Sequence, residues 1–352
     1  MKFSQKAYCL PLDGLRGFAA LSVVTFHLGH WLHRPGLASN SGLAVDLFFC
    51  LSGFVLPLAY GKKRDDLSVA GFMGLRLVRL MPLIVLASLM SVAYVVPRSA
   101  HLGGDLSLMA ATYALVLGLL NLPYFSAPVE IGGPQLFPLN GPQFSLFLEL
   151  VVNIVWWGLR KVDQLRLALV LAPLCFLALI LVGIGGDTPA NFWSGFPRVG
   201  ASFFAGVAMF ELAPRLPAWK GWTLAFWCLA ALMAVLFFLP FALPFALQLV
   251  WIGLLSPLLV LAGARAEVDG VAARLCSLGG ALSYPIYCLH YPLFCWINGL
   301  YRSHFGDQNI AVEGPLVVAI VLVACYGILH FYDEPVRAWL SRRMRRPRRA
   351  SA

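Results

Sequence analysis

Apolar residues run along this chain in blocks of about twenty, and charged residues gather in the short gaps between them. The blocks fall at Pro11–Leu32, Leu43–Tyr60, Leu80–Val96, Phe144–Leu159 and Leu167–Ile184. Five more fall at Val199–Leu212, Trp222–Leu239, Leu243–Gly263, Leu278–Asn298 and Ala311–Phe331. A helix needs roughly 20 apolar residues to cross the hydrocarbon of a bilayer, so each block predicts a spanning helix, Phe144–Leu159 being a short one. An eleventh stretch, Leu106–Leu122, raises a question of parity.

The gaps answer it through their charge, because cytosolic loops collect lysine and arginine. Lys2 and Lys6 place the N-terminus inside, and Lys62, Lys63, Arg64, Arg76 and Arg79 place the second connection inside. Arg160, Lys161 and Arg166, then Arg215 with Lys220, and Arg265 with Arg274, mark further inside loops. The arginines from Arg337 to Arg349 do the same for the C-terminus. Ten crossings satisfy every assignment. Leu106–Leu122 is therefore predicted to be a re-entrant or surface helix, and the proline- and glycine-rich Pro123–Pro142 an irregular external loop. The predicted fold is an all-α polytopic membrane protein with about ten transmembrane helices, formed by residues 1–336, and a basic cytosolic tail, 337–352.

Polar residues kept inside such blocks mark function, since an ionisable group at the bilayer centre costs roughly 2.5–3.5 kcal/mol on insertion scales. The first block carries Arg16 and His27. Their separation of eleven residues makes about three helical turns plus roughly 20°, so both lie on one face, about 16 Å apart. Asp13 stands one turn before Arg16, near enough for an ion pair. Asp46 opens the second block, whose Ser52-Gly53 permits close helix approach. Glu149 follows Asn140 and Gln143, and His290 sits among Tyr284, Tyr287 and Tyr291. Asp46 and Glu149 are candidates for substrate contact, with helix capping or interhelical hydrogen bonding as the ordinary alternative. For His290 the alternative is an aromatic belt, and for His30 and His33 an interfacial position. Arg76 and Arg79, three residues apart, form either a fork for phosphate or a topology anchor.

Composition narrows the classes. Of 352 residues, 60% are hydrophobic and 12% charged, about half the charged share of a soluble domain. The net charge of +10 owes much to the C-terminal arginines, which read as an anchor on anionic lipid rather than a nucleic-acid site. The eight cysteines show no CxxC pair, which argues against a zinc site, and no disulfide is expected. The sequence has no Walker-type GKS or GKT loop, GxSxG elbow or HExxH helix, so it offers no support for ATP-driven transport or zinc proteolysis. No tightly bound cofactor and no metal is expected.

The polar segments also resemble, in order, those of the integral-membrane acyltransferase family 3, whose members O-acylate carbohydrates of the cell envelope. LDGLRGFAALSVVTFH is similar to the family's opening signature, and GLAVDLFFCLSGFVL to its second-helix signature. RLVRLMPL resembles the arginine pair before the third helix, PQFSLFLEL the segment carrying glutamate, LSYPIYCLHYPLF the serine-tyrosine…histidine segment, and EPVRAWL the closing motif. Phe144 stands where a tryptophan is usual, and Glu149 stands alone where many members carry two glutamates. The resemblance implies acyl transfer, usually of acetyl, from acyl-CoA (acetyl-CoA) as cytosolic co-substrate to a hydroxyl of a carbohydrate or glycolipid near the outer side. Arg76 and Arg79 would hold the coenzyme phosphates, with Arg16 deeper along the path and His27 as general base or transient acyl carrier. The expected setting is a bacterial inner or plasma membrane with both termini cytosolic. The competing expectation is a proton-coupled transporter or flippase for a lipid or sugar, with Arg16, His27, Asp46 and Glu149 as its relay. Haem or metal binding by His27, His30 and His33 is disfavoured, because their spacing fans over about 120°.

Overall fold

A computed structural model describes residues 10–101, 106–306 and 308–345. The expectations about Lys2, Lys6, Cys9 and the last residues of the basic tail, 346–352, lie outside the described residues. The described residues form helices and connecting turns. Helices α1 (Leu10–Trp31), α2 (Ala44–Tyr60), α3 (Val69–His101) and α4 (Leu108–Leu120) lead into a long loop. Then come α5 (Gln143–Gly158), α6 (Gln164–Val182), α7 (Gly195–Leu212) and α8 (Trp222–Phe238). Helices α9 (Phe245–Val250) and α10 (Ser256–Arg265) are joined through a π turn at Trp251–Leu255. Helix α11 spans Gly270–Phe305, and α12 (Ile310–Ile328) runs through a second π turn, Leu329–Asp333, into α13 (Glu334–Arg345). Five helical stretches are long and apolar enough to cross a membrane: Ser41–Lys63, Val69–His101, Gln164–Val182, Phe245–Arg265 and Ile310–Met344. The chain is a multi-pass membrane protein.

Helix α4 has 13 residues, about 20 Å at 1.5 Å per residue, well short of a hydrocarbon core of roughly 30 Å. It leans on α3, and Asn121 ends it in the left-handed conformation with φ 53°, a position asparagine tolerates. The segment from Leu122 to Pro142 holds no α-helix, as its prolines and glycines dictate. Two helices outrun their apolar blocks: α3 by a turn or more at each end, and α11, with 36 residues, at both ends. The helix Ile310–Met344 also passes the 336/337 boundary without a break, so Arg337, Arg342 and Arg343 extend the last helix.

Small residues set the central packing. A Cβ on Gly53 would strike the Phe203 carbonyl, and one on Gly206 the Cys50 carbonyl, so α2 and α7 pack backbone to backbone. That contact is what Ser52-Gly53 predicts. Around it lies a buried core that includes Leu47, Leu51, Leu83 and Leu289, and beside it a second one of Phe72, Trp156, Trp157 and Phe203. Helices α6 and α8 turn large apolar side chains outward, Leu181 being 85% exposed, as a lipid-facing surface requires.

Candidate active site

Two of the cavities among the described residues share helices α1, α2, α5 and α11 in their walls. The first encloses about 140 Å³ and is lined by Arg16, Ser52, Arg76, Arg79, Glu149 and Tyr284, among others. The second encloses about 340 Å³, with His27, Asn40, Gln135, Asp187, Asn191 and Gln248 in its wall. Helix α1 therefore delivers Arg16 to one cavity and His27 to the other, along the single face predicted for them. Tyr287 lines both.

In the arginine-lined cavity, Arg76 of α3 pairs with Glu149 of α5, and Ser52 of α2 donates to the same carboxylate oxygen at 2.8 Å. Arg76 is buried, and taking two charges out of water is tolerable only when they are paired and hydrogen-bonded. Arg16 leans on Asp13 at 3.6 Å. Arg79 is solvent-exposed and has no ion-pair partner among the described residues. It also borders a neighbouring recess of about 340 Å³, shared with Tyr60, Glu334 and Arg337. The predicted two-arginine fork is thus divided. Arg76 is engaged by protein, and Arg79 is open to a ligand.

Around the second cavity, the His27 ring stacks on Trp31 at 5.1 Å and lies 5.1 Å from the ring of His290. Neither nitrogen of His27 has a hydrogen-bond partner among the described residues. His290 is fully buried, with Nδ1 at 2.9 Å from the Ile286 carbonyl. A carbonyl accepts, so Nδ1 carries the proton, and Nε2 is left as an unpartnered acceptor. Helix α11 lacks one backbone hydrogen bond here for a reason legible in its sequence. Pro292 has no N–H and cannot bond the carbonyl four residues back. That carbonyl belongs to Cys288, and the Asn140 side chain donates to it at 3.0 Å.

Asp46 lies in neither cavity wall. Both its oxygens accept from Arg198 of α7, at 2.9 and 2.8 Å, and Arg198 also reaches the Gly42 carbonyl. This buried bidentate pair ties α2 to α7 beside the second cavity. The structure therefore gathers the seven predicted residues into three groups: Arg16, Arg76, Arg79 and Glu149; His27 with His290; and Asp46 apart with Arg198. His30 and His33 are exposed at the end of α1 and beyond. Sequence reasoning missed Ser145, whose Oγ lies 2.6 Å from the Tyr287 hydroxyl. It also missed the half-buried Asn298, which donates to the buried Glu313 between α11 and α12.

The chain is thus a helical membrane bundle with an arginine-lined cavity and a histidine-lined one. The acyltransferase domain profile matches residues 11–330, and the chain belongs to this family, acyltransferase family 3. It is an acyltransferase. "Protein 2 in picA locus" of Rhizobium radiobacter is 43% identical over 162 residues, 42% of this chain and 82% of that one. "Putative peptidoglycan O-acetyltransferase YrhL" of Bacillus subtilis is 26% identical over 377 residues, 96% of this chain. A "Putative O-acetyltransferase" of Staphylococcus aureus (strain COL) is 33% identical over 88 residues, 24% of this chain. The matches span 56% of the Bacillus protein and 14% of the Staphylococcus protein. No solved structure shows significant similarity to the chain.

Proposed function

We propose that the chain moves an acetyl group from cytosolic acetyl-CoA to a hydroxyl of an envelope or secreted carbohydrate or glycolipid. The observation that carries this reading is the pair of cavities meeting at Tyr287, one rich in arginine and the other holding an uncommitted histidine. The coenzyme enters the first cavity with its phosphates on Arg79, and its nucleotide end lies in the adjoining recess. Arg16 stands closer to the thioester. Arg76 keeps Glu149 in place and shapes the wall.

The acceptor occupies the second cavity, where amides and hydroxyls suit a polyhydroxyl compound. His27 takes the proton from the attacking hydroxyl, imidazole being the side chain that titrates nearest neutrality. The new C–O bond forms at the thioester carbon, the C–S bond breaks, and the proton passes to the departing thiolate. The Bacillus relative is named for peptidoglycan O-acetylation, which makes peptidoglycan one acceptor to try first. In this reading ten helices cross, both termini are cytosolic and α4 does not cross. Reporter fusions at Gly132 and Ser351 should then signal outside and inside. The competing proton relay draws less support, since Asp46 and Glu149 are each closed in a separate ion pair.

Purified protein in liposomes should release free thiol from acetyl-CoA when glycan is supplied, with acetylated glycan found by mass spectrometry. A protein that binds coenzyme A yet acetylates no envelope glycan fraction overturns the proposal.

A further inference from the structure

Tyr287 of α11 is the residue common to the walls of both cavities. A carbonyl reaching from the arginine side toward His27 must pass its phenol. The ring is held edge-on by Phe48 at 5.2 Å and is buried. Its hydroxyl lies 2.6 Å from Ser145 Oγ, and Ser145 in turn donates to the Pro142 carbonyl at 3.0 Å. With the serine proton on Pro142 the phenol proton points to Ser145, and with the serine proton on the phenol oxygen the phenol proton reaches the Pro142 carbonyl at 3.5 Å. Once an acyl carbonyl arrives, the phenol can turn its proton to that oxygen, and Ser145 can swing its own proton onto the phenol oxygen. Each rotation replaces one hydrogen bond by another, and the second strengthens the first by polarisation.

We propose that the Tyr287 hydroxyl, backed by Ser145, is the hydrogen-bond donor to the thioester carbonyl oxygen as negative charge develops there. This rests on the acetyl-transfer reading above. No bond to Tyr287 forms or breaks. The electron pair of the carbonyl π bond moves onto oxygen as the acceptor oxygen adds to carbon. It returns as the C–S bond breaks, and the phenol keeps its proton throughout. A donor aimed at developing charge in a site shielded from water is among the larger catalytic contributions known.

The test uses the full chain in liposomes carrying an envelope glycolipid extract, with thiol release from acetyl-CoA as readout and coenzyme A affinity measured by calorimetry. Tyr287→Phe should lower kcat roughly 100-fold, as loss of one such donor does elsewhere, while KM for acetyl-CoA and coenzyme A affinity hold. Ser145→Ala should lower kcat about tenfold, the value of one modest hydrogen bond, and Ser145→Thr should restore it. 3-Fluorotyrosine at position 287 keeps the shape but acidifies the phenol, so kcat and its pH profile should shift.

A kcat for Tyr287→Phe within threefold of wild type overturns the proposal, as does a loss confined to KM. If Tyr287→Phe does not fold, an unchanged kcat in Ser145→Ala or an unshifted fluorotyrosine profile overturns it equally. A wild-type protein that releases no thiol refutes the acetyl-transfer reading instead, which keeps the two failures apart.

Discussion

The two cavities share wall from the same four helices, yet they handle charge in opposite ways. In the arginine-lined cavity three guanidinium groups face a single carboxylate, Glu149, and Arg79 is left over. In the wall of the His27 cavity, Arg198 is closed in a pair with Asp46 behind it, and amides and hydroxyls make up most of the remaining polar wall. Spare positive charge suits a multiply phosphorylated ligand. A wall made mostly of neutral donors and acceptors, with Asp187 and the paired Arg198 as its charged members, suits a sugar. One bundle can therefore separate donor from acceptor by how completely it neutralises its own charges.

The sharpest way to break that comparison is at His27. His27→Ala should reduce transfer by about 10²–10⁴-fold, the range of a lost general base, while coenzyme A affinity measured by calorimetry stays at the wild-type value. Near-normal turnover in the folded variant would remove His27 from the chemistry. His30→Ala and His33→Ala, at exposed positions, should leave turnover close to wild type.

Next in size are the closed pairs. Removing one partner of a buried pair leaves an uncompensated charge and costs roughly 3–5 kcal/mol. Arg198→Ala and Arg76→Ala should each lower thermal stability in detergent by that order. Changing both partners, as in Arg198→Met with Asp46→Leu, should recover most of the loss. If the single variants melt like wild type, neither pair supports the bundle.

Arg79→Gln should act on binding and not on folding. Loss of a charge-assisted hydrogen bond weakens coenzyme A by roughly 1.5–3 kcal/mol, with the melting temperature unchanged. Lysine at this position should restore only part of the affinity, since it lacks the planar fork. Equal affinity in wild type and Arg79→Gln would return Arg79 to the role of topology anchor. The smallest effect expected is for Asn140→Ala, which strips the partner from the Cys288 carbonyl. About 1 kcal/mol of stability should go with that single hydrogen bond, readable as a lower thermal midpoint.

Much of the bundle was legible because a bilayer imposes one period and one length. The apolar blocks at Pro11–Leu32 and Leu43–Tyr60 coincide closely with α1 and α2, whereas α4 was set apart by the charge of the loops and not by its length. Helix α11 was underestimated because hydropathy reports only the apolar part of a helix. Its first turns, from Gly270, carry Arg274 and small residues that a hydropathy reading passes over. The separation of Arg16 from His27 was legible, since one helix sets it. The partner of Asp46 was not: Arg198 lies 152 positions away, and no spacing rule joins residues on different helices. Glu149 was grouped with Asp46 for the same reason, although it belongs with Arg76. Ser145 carries no charge and breaks no hydrophobic block; it stood in the sequence only as part of the PQFSLFLEL resemblance, and no role for it was legible until its oxygen met that of Tyr287.

Asn140 splints the turn of α11 that Pro292 leaves open, and it does so from a loop that also builds the rim of the His27 cavity. Gln135, Gly141 and Pro142 of that segment face the cavity, while His290 rides on the splinted turn two residues past Cys288. Rim and turn thus form one mechanical linkage. Under the proposed function, an acceptor at that rim touches the loop whose Asn140 holds the turn carrying His290. Selectivity for the acceptor is consequently open to tuning by residues of the loop that never meet the reacting atoms.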